Sequence, residues 1–165
     1  KRVNAQMRTL GADIEVEDTV TAMLEFESGA VGSLEVTTAA RPDDFEASIS
    51  VVGSKGCAQI GGIAVNELQI FTPEPQACTD NYEDFSKSVY GNGHYRMYED
   101  IQADLTGKAA FPMSVDETKK TLALLQSFYL SDEAGAWVAP GTESERLGRP
   151  NDAVSDLYRT RRPGS

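Results

Sequence analysis

One histidine, one arginine at a strand end and a few polar loop residues are the side chains of this 165-residue chain best suited to hold a hydroxylated or anionic ligand. His94, the only histidine, stands in Tyr90-Gly91-Asn92-Gly93-His94-Tyr95-Arg96 at the expected start of a helix. Glycines let backbone approach a ligand closely, and a helix N-terminus offers unpaired N–H groups to an anion. His94 would then bind a hydroxyl or a phosphate, because no carboxylate at a fixed spacing is there to make it a base. The competing reading of a lone histidine heading an apolar stripe is a packed core residue or a helix-end hydrogen bonder. Arg41 follows Thr37-Thr38-Ala39-Ala40 and precedes Pro42. Its planar fork suits a carboxylate or phosphate; paired instead with Asp43 or Asp44 it would be a surface ion pair of small energetic weight. Asn66, Tyr90 and Tyr82 are secondary candidates, polar residues of expected loops.

Other chemistries find less support. Glu15, Glu17 and Asp18 read as a solvated acidic turn rather than a metal site, since magnesium and calcium need a tighter set of oxygens. Cys57 and Cys78 are the only cysteines and show no zinc-binding spacing, so they read as two free thiols in a cytoplasmic protein. No nucleophile–base pair and no metal site identify themselves, so no residue is assigned a catalytic role. No G-x-G-x-x-G and no phosphate-binding loop occur, so no cofactor is expected to bind this chain. The formal net charge of −11 disfavours nucleic acid and anionic membrane as partners, and no apolar run reaches the length of a membrane span.

The elements that would position these residues begin with an alternating run over residues 16–71. Val20, Ala22, Leu24 and Phe26 share one face, then Leu34 and Val36, then Phe45, Ala47, Ile49 and Val51, with Gly29 turning the first hairpin. Val3, Ala5 and Met7 make a preceding strand, Cys57–Ile60 and Glu67–Phe71 later ones. Residues 72–88 lose periodicity and read as a long functional loop. A helix follows from Asn92-Gly93, with His94, Met97, Tyr98, Ile101 and Leu105 on one stripe. A second starts at the capping box Ser114-Val115-Asp116-Glu117, buries Leu122, Leu125, Phe128 and Tyr129, and stops at Gly135. Trp137-Val138-Ala139 reads as a last short strand. The expected fold is α+β: a predominantly antiparallel sheet with helices packed on one face and the other face used for oligomerisation, over residues 1–140, with a polar tail at 141–165.

The stretch from Glu15 to Thr38, E-V-E-D-T-V-T-A-M-L-E-F-E-S-G-A-V-G-S-L-E-V-T-T, resembles the C-terminal domain of the glucose–fructose oxidoreductase / inositol dehydrogenase / MocA (Gfo/Idh/MocA) family. Arg41-Pro42-Asp43-Asp44 and Ile49-Ser50-Val51-Val52-Gly53-Ser54-Lys55-Gly56 continue the likeness. Ile60-Gly61-Gly62-Ile63-Ala64-Val65-Asn66 and Tyr90-Gly91-Asn92-Gly93-His94 resemble the UDP-N-acetylglucosaminuronate 3-dehydrogenase branch. The resemblance implies a two-domain NAD- or NADP-dependent sugar oxidoreductase whose nucleotide-binding half, lysine and Asp/His pair lie upstream of Lys1. It also implies that this part, inactive alone, shapes the substrate site with Arg41, Asn66, Tyr90 and His94 and builds homo-oligomers through its sheet. The other reading of the residues is a non-catalytic β-sheet oligomeriser or sugar-binding module.

Overall fold

The computed structural model describes residues 1–14, 16–43, 45–80, 93–141 and 144. Among them the element order is β1 (Arg2–Arg8), β2 (Thr19–Glu25), β3 (Val31–Thr37), β4 (Ile49–Gly53), β5 (Gly56–Gly61), β6 (Glu67–Phe71), α1 (Ala77–Asp80), α2 (Gly93–Leu105) and α3 (Val115–Ala134). The class is α+β, as expected, but the strands make two antiparallel three-stranded sheets, β1-β2-β3 and β4-β5-β6, rather than one meander. Each sheet belongs to its own unit: Lys1–Ala39 with Met113–Ser165, and Ala40–Pro112.

In the first unit the alternation sets the face and the pairing stacks it. Val3, Ala5 and Met7 lie opposite Leu24, Ala22 and Val20, and Ala22 and Val20 lie opposite Leu34 and Val36. Paired residues of an antiparallel ladder point to the same side, so these apolar chains form one surface. Phe128 and Tyr129 of α3 close over it, completing a core with Val3, Ala5, Met7 and Ala22; Val20, Leu24, Leu34, Leu124 and Val138 pack around its rim. The expected burial along α3 holds only for its second half, since Leu122 and Leu125 are exposed.

The outer edge of β1 is closed by hydrogen bonds from chain that follows much later. Val3 and Val138 exchange backbone bonds of 2.8 and 2.9 Å, the one bridge that remains of the expected strand at Trp137-Val138-Ala139. The Ala5 N–H donates to Ser131 Oγ at 2.9 Å, and the Met7 N–H to Asp132 Oδ1 at 3.1 Å. A sheet edge satisfied in this way offers no template for a further strand on that side.

Both ends of α3 follow the sequence signals. Ser114 Oγ accepts the Glu117 N–H at 3.2 Å from an extended backbone, and Gly135 ends the helix at φ 61. Glu117 binds Lys120 Nζ at 2.6 Å one turn on. Losing the cap orphans a helix-end donor, so Ser114→Ala is expected to cost about 1 kcal/mol, read as a lower urea midpoint at unchanged slope.

In the second unit Ile49 faces Ile60, and Val51 faces Ala58, while a bulge between Gln59 and Ile60 shifts the β5–β6 register. The strand expected from Phe45 onward begins only at Ile49. Its ladder is prolonged by a single bond, Ala47 N–H to Gly62 O at 2.9 Å, and there Gly62 turns the chain at φ 91. Upstream, Pro42 has no N–H to give a ladder, so β3 and β4 are separated by irregular chain. Within the stretch expected to be irregular, Ala77–Asp80 forms the short α1; residues 81–88 and the candidate cap Asn92 lie outside the described residues. Helix α2 starts where expected, and Gly107 follows it at φ 70. Its apolar stripe is a departure: no α2 residue is buried, Tyr98 and Leu105 are exposed and Ile101 is half-buried.

Candidate functional site

Arg41, Asn66 and His94 all fall in the second unit, each on a different kind of backbone. Arg41 stands in the irregular chain before β4, exposed, with its Nη1 donating to the Ala40 carbonyl at 2.6 Å and a cis peptide joining it to Pro42. A bond from one guanidinium nitrogen to the neighbouring main chain restricts where the rest of the fork can point. Asn66 closes the β5–β6 loop. Its Oδ1 accepts the Ala64 N–H at 3.3 Å and lies 2.5 Å from where a Cβ on Gly62 would be. Asn66 thus shapes its own loop, and Gly62 is required there for space as well as for its positive φ. Val65 in the same loop has φ 55, a conformation a β-branched residue holds only where its surroundings impose it. At the start of the loop the Gly62 N–H donates to Glu46 Oε1 at 3.2 Å and the Gly62 carbonyl accepts the Ala47 N–H at 2.9 Å.

His94 is exposed on the first turn of α2, which removes the packed-core reading for this chain. An exposed imidazole on the first turn of a thirteen-residue helix is accessible to a ligand. Tyr90 and Tyr82 lie outside the described residues.

The first unit contains a residue whose role the sequence reading missed. Asp18 was expected in a solvated acidic turn, yet it is only 3% exposed. Its carboxylate accepts the N–H groups of Leu10 (2.9 Å), Gly11 (2.7 Å) and Ala12 (2.8 Å) and the Thr19 hydroxyl (3.0 Å). Its own N–H donates to Arg8 O at 3.0 Å, and its carbonyl accepts the Thr38 N–H at 2.8 Å. One residue therefore ties the end of β1, the start of β2 and the chain leaving β3. Burial raises the carboxyl pKa, but the N–H groups of Leu10, Ala12 and Gly11 and the Thr19 hydroxyl outweigh it and bring the value from 3.8 to about 2. The available signal was Gly11-Ala12, two small residues whose amides are easily reached, seven and six positions before an aspartate that opens a strand. Glu17 next to it bonds the Tyr129 hydroxyl, so this end of the turn is tied to α3 as well. Glu15 lies outside the described residues.

Among the described residues no three His, Cys, Asp or Glu side chains gather in a way that would hold a metal ion, and no helix is long and apolar enough to cross a membrane. All described strand pairs are antiparallel. A dinucleotide cradle is built on a parallel β-α-β unit with a glycine turn, which the described residues do not form.

Residues 1–59 match the family model described as the GFO/IDH/MocA C-terminal domain. Among solved structures, the chain is similar to the WlbA dehydrogenase from Bordetella pertussis in complex with NADH and UDP-GlcNAcA, at 35% identity and a TM-score of 0.75, covering 87% of this chain and 42% of that one. The WlbA dehydrogenase from Chromobacterium violaceum, also in complex with NADH and UDP-GlcNAcA, gives 36% identity and a TM-score of 0.71, covering 87% and 41%. A levoglucosan dehydrogenase in complex with NADH and L-sorbose shares the fold at 18% identity and a TM-score of 0.65, covering 86% and 44%. The chain thus spans less than half the length of each of these solved chains. No curated protein matches it.

Proposed function

This chain belongs to the Gfo/Idh/MocA family through its C-terminal domain, and from that premise we propose that it is the substrate-binding and oligomerisation part of an NAD-dependent sugar-nucleotide dehydrogenase. The observation that carries the proposal is the 35–36% identity, over 87% of the chain, to two dehydrogenases whose structures contain NADH and UDP-GlcNAcA. The nicotinamide cofactor takes up hydride from the sugar in such an enzyme. It would be held by residues outside this chain, which alone would be inactive. The chain's own contribution is binding and orientation. Arg41 would take an anionic group of the ligand, and His94 a hydroxyl or phosphate from the first turn of α2. Asn66 would act by setting the β5–β6 loop, and Tyr90 is carried with them as a ligand contact.

The oligomerisation half of the proposal is supported by the apolar ladder of the second sheet. Ile49, Ile60 and Val51 share one of its faces and are exposed. A second copy would remove that surface from water.

The test uses the protein encoded by the complete reading frame that contains this chain, with UDP-N-acetylglucosaminuronate and NAD. Arg41→Ala is expected to raise KM about tenfold with little change in kcat, the pattern for lost binding that is equal in ground and transition states, and His94→Ala to do so by a smaller factor. Normal turnover and KM in the Arg41→Ala, His94→Ala double variant would remove both from the site.

A further inference from the structure

Departures from regular sheet geometry gather in β5, β6 and the loop that joins them, all within the second unit. Gln59 lies opposite Ile70 and Ile60 opposite Leu68, so Gln69 is the extra residue of the bulge. A bulge re-aims a side chain, and here the Gln69 amide stands between Gln59 and Glu67. Gln59 Nε2 donates to Gln69 Oε1 at 2.7 Å, and Gln69 Nε2 donates to Glu67 Oε2 at 3.2 Å. Gly61 makes the room: a Cβ there would stand 2.6 Å from the atoms of the Gln69 amide. Just beyond, Gly62 turns at φ 91 and Val65 is held at φ 55.

This arrangement costs more stability than it returns. The bulge interrupts the ladder, Val65 sits in a conformation unfavourable for a β-branched residue, and ordering three long side chains costs rotamer entropy. Hydrogen bonds between exposed side chains offset little of that. Strain kept without a stabilising return points to a functional surface. What the row presents is chemically specific. Among the described residues the three side chains make no further bond, so the second N–H of each amide, Gln59 Oε1 and Glu67 Oε1 are left for a ligand. Donors and acceptors side by side suit hydroxyl groups, which both donate and accept. The Glu67 carboxylate repels phosphate and carboxylate. Ile70, opposite Gln59 and exposed, adds apolar surface beside the row.

We propose that the Gln59–Gln69–Glu67 row is a hydroxyl-recognition site for the sugar ring of the ligand, with Gln69 its central contact. The inference rests on the reading of this chain as the substrate-binding part of a sugar-nucleotide dehydrogenase. It adds to that reading the residues that take the uncharged part of the ligand, whereas Arg41 is assigned an anionic part. Bonds of this kind are present in ground and transition states alike, so their loss falls on KM rather than kcat.

The test uses the product of the complete reading frame, assayed with UDP-N-acetylglucosaminuronate and NAD, and with free UDP, which lacks the sugar, as inhibitor. Gln69→Ala is expected to raise KM for the sugar nucleotide about tenfold at nearly constant kcat and to leave the inhibition constant of UDP unchanged. Gln59→Ala removes the outer member of the row and is expected to act in the same direction by a smaller factor; it carries the test if Gln69→Ala does not fold. An unchanged KM in both variants would overturn the proposal, whatever their melting temperatures. Equal weakening of UDP and of the sugar nucleotide would overturn it as well, because the damage would then not be confined to the sugar. Both outcomes leave the reading beneath it intact. A parent protein that binds neither UDP nor the sugar nucleotide would overturn the proposal and that reading together.

Discussion

Replacing Met7 by alanine is expected to destabilise the first unit by about 3 kcal/mol, within the range for buried methionine truncations. Met7 is 1% exposed, on β1, the strand whose outer edge is sealed, with Val20 opposite it in the β1–β2 register. The surrounding core is small: Val3, Ala5, Ala22, Phe128 and Tyr129 are its other buried apolar members among the described residues. Two of those are alanines, which have no side chain to swing into the space. Their neighbours are held by the backbone bonds that close β1 against Ser131, Asp132 and Val138, so collapse of the cavity is restricted. The cost is then transfer plus residual cavity rather than transfer alone. Met23 supplies the control. It lies on the opposite face of β2 and is 58% exposed, so Met23→Ala should stay within about 0.5 kcal/mol. Urea unfolding of both variants reads the difference, and equal shifts would show that the buried face has been assigned to the wrong side of the sheet.

That assignment was legible because alternation with a period of two specifies a face whatever the partner strand is. Val3, Ala5 and Met7 could be placed on the buried side from their spacing alone, and Ser114 and Gly135 could be placed at the ends of α3 from their chemistry. The same periodicity is silent about pairing. Nothing in the alternation of Ile49 and Val51 says that they pair with Ile60 and Ala58 rather than with β3; the β4–β5 ladder of the folded chain decides it. Periodicity also reports which side of a helix is apolar without saying what covers it. The α2 stripe from His94 to Leu105 is real in spacing and open in this chain.

The candidate site divides along a similar line. Residue type drew attention to Arg41 and His94, and both are exposed as a ligand contact requires. Type also drew attention to Asn66, where the structure gives the side-chain carbonyl a task inside its own loop. Asp18 escaped because an aspartate among other acidic residues is ordinarily solvated, and its real environment depends on amides that only the folded hairpin brings together. A buried carboxylate satisfied by successive backbone N–H groups is a tertiary fact with a faint local signature.

The same bonds make Asp18 sensitive to acid. Its pKa is about 2 in the folded chain and 3.8 in the absence of the fold, so the unfolded state takes up the proton first. The stabilisation is complete above pH 3.8, falls as the pH drops toward 2, and is gone below that; integrated over the interval it amounts to about 2 kcal/mol. Other carboxylates titrate in the same range. Glu25, for one, is held below the usual carboxylate value by hydrogen bonds from Lys1 and Arg2, so the raw acid sensitivity of the protein is not a measure of Asp18. The difference between the parent and Asp18→Asn is such a measure, because groups that do not contact Asp18 cancel in it. At neutral pH Asp18→Asn should cost about 2 kcal/mol, the penalty for leaving buried amide donors short of an acceptor. Near pH 2.5 the parent has lost most of the same stabilisation by protonation, and the two urea curves should draw together. A gap that stays constant between the two pH values would mean that the Asp18 carboxylate is not the acceptor holding Leu10, Gly11 and Ala12.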